Sequence, residues 1–127
     1  MLRISIVSVA LISLVGCATP LERAKQDGWQ QLTGAEAVEL HAQGLVVEGP
    51  NWTATWTDDG KKIVNSTQGV KELRWEARDG NFCQELYRSD QWDCGDLSVI
   101  AIKGDQYRSF NASGSLRDEG TIVQRGG

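Results

Sequence analysis

Asn51-Trp52-Thr53-Ala54-Thr55-Trp56-Thr57 decides the fold. Along an extended chain Trp52, Ala54 and Trp56 point one way, while Asn51, Thr53, Thr55 and Thr57 point the other. That period of two marks a strand with one apolar and one polar face. Asp59-Gly60 follows at once and turns the chain into a second run, 61–66, because Gly takes the positive φ of a tight hairpin at low cost. Residues 70–78 alternate again, with Leu73, Trp75 and Ala77 against Glu72, Arg74 and Glu76, and Asp79-Gly80 returns the chain into 82–88. Runs 97–102, 106–111 and 116–124 come next, separated by Lys103-Gly104-Asp105 and Ser113-Gly114-Ser115. With the apolar segment that begins at Leu45, this makes about eight short strands. No helix-length segment lies between them, so parallel crossovers are disfavoured, and the expected fold is mainly β, an antiparallel meander. Its single apolar face must be covered, by curling into a small barrel, by folding into two layers, or by a helix.

Upstream of the strands, Thr33-Gly34-Ala35-Glu36 fits a capping box, in which the Thr33 hydroxyl and the Glu36 carboxylate each accept from the other's backbone amide. Ala35, Val38 and Ala42 follow at helical spacing, and Gly44 suits the residue just past a helix end. One short α-helix, about 34–43, therefore precedes the sheet. The stretch 18–31 is polar, carries a lone Trp29, and reads as a tether.

The first residues have a different character. Met1-Leu2-Arg3 supplies one positive charge, and residues 4–15 form an apolar run of about a dozen residues. A bilayer core needs roughly 20 residues, so the run has the length of a signal-peptide core rather than of a span. It ends in Leu14-Val15-Gly16-Cys17, which resembles the lipobox of bacterial lipoproteins; the alternative is a plain secretory signal that happens to contain a cysteine. The resemblance implies a signal peptide over 1–16, cleavage before Cys17, and acylation of Cys17 by diacylglycerol and a fatty acid such as palmitate. It also implies a lipidated tether over 17–31 and one small β domain over 32–127. Ala18 rather than Asp after the cysteine implies, in enterobacterial-type sorting, the outer membrane, with the domain facing the periplasm or the cell surface.

That setting gives the other cysteines a reading. An exported compartment is oxidising, and with Cys17 lipidated the remaining pair, Cys83 and Cys94, is expected to form a structural disulfide. The alternatives are weak. The chain has one His, His41, and no CxxC spacing for zinc or redox chemistry. Asp90, Asp93 and Asp96, with Asp58 and Asp59, could in principle offer oxygen ligands to calcium, but their order matches no EF-hand loop. No nucleophile motif, metalloprotease helix or phosphate loop is present, so the expectation is no catalytic residue, no metal and no cofactor. Asn51, Asn65 and Asn111 begin glycosylation-type triplets that read as chance matches behind a bacterial lipobox. Without residues 1–16 the chain keeps 12 Lys and Arg, one fewer than the whole, against 17 Asp and Glu. No basic stripe for nucleic acid exists in it.

A second resemblance covers about 32–107. The succession Leu32-Thr-Gly-Ala-Glu36, Trp56-Thr-Asp-Asp-Gly60, Gly69 with Trp75, Asp79-Gly-Asn-Phe-Cys83, Cys94 and Gly104-Asp-Gln-Tyr107 is similar to an uncharacterised family of small secreted bacterial proteins. The chain departs from that pattern in the longer gap between Gly69 and Trp75, and the resemblance implies no activity. A looser likeness links it to lipoprotein inhibitors of lysozyme, although Ser113-Gly114 reads better as a turn than as their inhibitory motif. The functional expectation is a lipid-anchored, non-catalytic binding module whose partners are the membrane, through its anchor, and an envelope protein or glycan. Candidate contacts are Trp92, Asp90 and Asp93 in the loop between the cysteines, with Trp52, Trp56 and Trp75. The alternative is a small-ligand carrier with Trp52, Trp56 and Trp75 lining a barrel interior, or an inhibitor of an envelope-directed hydrolase. Trp is the chain's main source of large apolar area, so these side chains also serve as core.

Overall fold

Trp52, Ala54 and Trp56 do lie on one face, and that face is the concave side of a curled sheet. A computed structural model describes residues 18–87, 91–94 and 99–125. In chain order the elements are α1 (Pro20–Gln26), β1 (Gln30–Gln31), α2 (Gly34–Ala42), β2 (Val46–Glu48), β3 (Trp52–Trp56) and β4 (Lys61–Ser66). They continue with β5 (Gly69–Arg78), β6 (Asn81–Glu85), β7 (Trp92–Cys94), β8 (Val99–Lys103), β9 (Gln106–Phe110) and β10 (Leu116–Gln124). The strands form one antiparallel sheet in the order β1-β8-β9-β10-β2-β3-β4-β5-β6-β7, curled into a half-barrel.

The structure corrects the expected fold in three respects. Among the described residues ten strands are present rather than about eight, because the two-residue β1 and the three-residue β7 are too short to carry an alternation. The chain is not one continuous meander: β2 to β7 run in order, then β8 to β10 form a second meander that docks through β10 onto the free side of β2. And two helices are present among the described residues, because the polar stretch read as a tether folds. Thr19 caps α1, its hydroxyl accepting from the Glu22 amide at 3.2 Å, with Pro20 opening the first turn. Helix α1 then buries Ala24 on the convex face of the sheet against Ala101 and Phe110, with Leu21, Trp29 and Val99 around them.

Local chemistry accounts for the hairpins. At Asp79-Gly80 both residues take positive φ, 51° and 76°, the type I′ combination whose twist matches that of the flanking strands. Helix α2 starts beside this turn, where a side chain on Gly34 would come within 3.1 Å of the Gly80 carbonyl oxygen. Its capping box is complete: Glu36 N–H donates to Thr33 Oγ1 at 3.2 Å, and Thr33 N–H to Glu36 Oε1 at 3.0 Å.

Helix α2 lies inside the curl and His41 is its central contact. The imidazole is fully buried, stacked on Phe82 of β6 with centroids 4.0 Å apart, and edge-on to Trp56 of β3 and Tyr107 of β9 at 4.9 and 5.8 Å. One side chain thereby ties together strands far apart in the sheet order. The core around it holds Leu45, Val47, Leu73, Trp75, Ile100 and Ile122. Its ring nitrogens are both engaged: Nδ1–H donates to the Ala37 carbonyl at 2.6 Å, so Nε2 must accept from the Tyr107 hydroxyl at 2.9 Å. This pairing fixes a neutral tautomer, and burial holds the imidazole down to about 3.

Cys83 and Cys94 face each other directly across β6 and β7 and are disulfide-bonded. Closing a loop of this length stabilises by about 3 kcal/mol in the chain-entropy model. Here the bond has a local consequence as well. It fastens a three-residue edge strand, too short to hold itself, to the sheet.

Candidate functional site

The half-barrel is filled at one end by α2 and the aromatic core, and at the other it stays open. There the concave face encloses a cleft of about 690 Å³ lined by Trp52, Ala54 and Trp56 of β3, Lys62, Val64 and Ser66 of β4, and Tyr107 and Ser109 of β9, with Gln84, Tyr87, Arg117 and Asp118. The register explains this face: Trp56 stands opposite Lys62, Ala54 opposite Val64 and Trp52 opposite Ser66, so both strands send alternate residues inward. The Trp52 indole lies against Gly49, in space that any other residue there would fill. At the rim Lys71 Nζ donates to the Tyr87 carbonyl at 2.5 Å, with the ammonium 4.9 Å from the Tyr87 ring centroid.

The polar groups come from places a period of two does not reveal. Between Leu116 and Asp118 the β10 register slips by one residue against β9. Such a bulge lets neighbouring side chains address the same side, and both Arg117 and Asp118 line the cleft. Asp93, opposite Gln84 on β7, points inward and is 3% exposed. It forms an ion pair with Arg117. Since β7 and β10 are separated by five strands in the sheet, this ion pair spans the concavity and joins its two walls. Burial pushes the Asp93 carboxyl up, and the Arg117 guanidinium opposes that. Burial pulls the Lys62 ammonium down to about 8, with Arg117 adding to the effect and Asp118 and Asp93 resisting it. The buried Tyr107 phenol is raised, burial again being the main cause.

The residues singled out in the sequence are thus dispersed. Trp52 and Trp56 line the cleft. Trp75 does not: it is core, packed on Phe82 at 5.9 Å, its indole N–H donating to the Thr57 carbonyl at 2.7 Å. Trp92 is on the convex face, stacked beneath the guanidinium groups of Arg78 and Arg74 at 4.4 and 5.4 Å. Asp93, expected in an acidic loop end beside Trp92, is turned the opposite way, into the interior. Asp58 and Asp59 lie at the β3–β4 turn, where Asp59 accepts from the Thr57 hydroxyl. Asp90, Asp96 and Cys17 are outside the described residues. Sequence reasoning passed over Lys62, Ser109, Arg117 and Asp118. Lys62 had one available signal, since a lysine two residues before Val64 and just across a hairpin from Trp56 shares their face. The bulge that turns Arg117 inward had none.

Searches against family models, curated proteins and solved structures returned no match to this chain. No helix among the described residues is long and apolar enough to cross a membrane.

Proposed function

We propose that this protein is a small-ligand-binding module of the bacterial cell envelope, carried on a lipid at Cys17. One observation supports the carrier reading over recognition of a protein or glycan through the cysteine loop. The concave face keeps a cleft of about 690 Å³ with aromatic walls and a few buried polar groups, within the size and character of small-molecule sites. Among the described residues the loop side offers less: Trp92 is already covered by two arginines and Asp93 is turned inward.

The neutral fluorophore N-phenyl-1-naphthylamine tests the cleft. It should bind saturably, one per protein, and Ser66→Trp, which fills the cleft from a half-buried lining position, should weaken that binding at least tenfold. Undiminished binding to the Ser66→Trp protein, or none to the wild type, refutes the reading. The anchor is tested separately in bacterial cells. Cys17→Ser should move the protein from the membrane to the soluble fraction and abolish labelling by alkyne-palmitate; retention on the membrane would rule out lipidation at that residue.

A further inference from the structure

Lys62 is a cation in a place where a sealed core would not keep one. It is 8% exposed, and among the described residues it makes no hydrogen bond and no ion pair. Its one close polar contact is the Trp56 ring, 5.6 Å from its ammonium. Burying an ammonium without a hydrogen-bonding counter-charge is costly. Asp93 is committed to Arg117, and Asp118 sits at the exposed rim, acting on Lys62 only from a distance. Two further donors on the same concave face also lack acceptors. The Trp56 indole N–H is buried with no hydrogen-bond partner, and the Ser109 hydroxyl, on a buried residue lining the cleft, has none among the described residues. A fully buried polar atom without a partner, as the Trp56 indole nitrogen is, is rare in folded proteins, and all three groups on this face are donors. Beside them the walls are apolar, formed by Trp52, Ala54, Val64 and Tyr87.

We infer that the cleft takes an amphipathic monocarboxylate, its aromatic or alkyl body against Trp52, Ala54 and Val64 and its carboxylate on the Lys62 ammonium. One negative charge matches Lys62, the cation among the described residues of the cleft lining that has no ion pair. A dianion such as a phosphate monoester would bring a second charge toward Asp93 and Asp118 with no cation left to meet it. The inference rests on the cleft being a ligand site, and it goes further by naming the ligand's chemistry and the residue that selects it.

Displacement of N-phenyl-1-naphthylamine by three probes with one aromatic body separates the two claims. The probes are 2-naphthylacetate, the neutral 2-(2-naphthyl)ethanol and the cationic 2-(2-naphthyl)ethylamine. A charge-assisted contact should let the carboxylate displace the dye from the wild type at concentrations at least about tenfold lower than the alcohol requires. In Lys62→Met the acid should lose its advantage, so that acid and alcohol displace the dye at similar concentrations; in Lys62→Arg, which keeps the charge, the preference should persist. Equal displacement by acid and alcohol in the wild type, or a preference for the amine, overturns the carboxylate assignment and leaves the cleft reading standing. Failure of the dye to bind removes both. Should Lys62→Met not fold, the wild-type and Lys62→Arg comparisons decide alone.

Discussion

His41→Ala is expected to cost about 3–5 kcal/mol of stability, enough to unfold much of a marginally stable small domain. The loss has two parts. The ring is a buried aromatic filler between Phe82, Trp56 and Tyr107, and its removal opens a cavity where three strands and a helix meet. It also leaves the Ala37 carbonyl and the Tyr107 hydroxyl without their partner, and a buried polar group so abandoned costs about 1–3 kcal/mol. The same residue makes stability depend on pH. Its ordinary value is 6.5 and its value in the fold is about 3, so between those limits the unfolded chain binds a proton that the folded chain refuses. Stability contributed by the neutral ring is complete above pH 6.5 and is lost as the pH falls toward 3, by about 1.4 kcal/mol per unit. Urea unfolding at pH 7.5 and pH 5.0 should show the wild type losing about 2 kcal/mol more than His41→Phe over that interval. Equal losses in the two proteins would mean that His41 is not buried in its neutral form.

Asp93→Ala is the second large effect, about 3–5 kcal/mol, because it leaves the Arg117 guanidinium inside the half-barrel without the carboxylate that neutralises it. The remedy is not another carboxylate. Removing both charges in Asp93→Leu with Arg117→Met should recover most of the loss, since an apolar pair escapes the desolvation that the ion pair suffers. Ligand binding should separate the two variants in a second way. The ion pair joins opposite walls of the cleft, so Asp93→Ala should also weaken N-phenyl-1-naphthylamine binding as those walls part. Urea midpoints and dye titrations on both variants check this. If Asp93→Ala and the double variant prove equally stable, the buried ion pair is not what holds the walls together.

Much of this architecture is legible in the residues, and the exceptions have physical causes. The alternation of Trp52, Ala54 and Trp56, the Asp-Gly turns and the Thr33–Glu36 capping box each act over fewer than ten residues, and each forms as its chemistry dictates. Helix α1 carried a signal of the same kind in Thr19-Pro20-Leu21-Glu22, an N-cap with an acidic residue three positions on, masked by the polar composition around it. The docking of β10 on β2 is different. It depends on how a curled sheet finds its last free edge, and no local pattern encodes that. The cleft was half visible. Its two tryptophans follow from parity, whereas Asp93 and Arg117 enter it through a disulfide-held edge strand and a bulge. A buried Asp on a three-residue strand looks, in sequence, like one more acidic loop residue.

The folding of α1 bears on how the domain would stand in an envelope. The Leu21 amide donates to the Gly114 carbonyl at 3.0 Å, and Thr19 packs so closely on Gly114 that a side chain there would meet its hydroxyl at 2.8 Å. Gly114 belongs to the β9–β10 turn, at the end of the half-barrel where Ser109, Arg117 and Asp118 frame the cleft. If Cys17 carries a lipid as proposed, only Ala18 separates it from Thr19, which is held against Gly114. The β9–β10 turn, rather than a loose tether, would then set which side of the domain stands nearest the anchor.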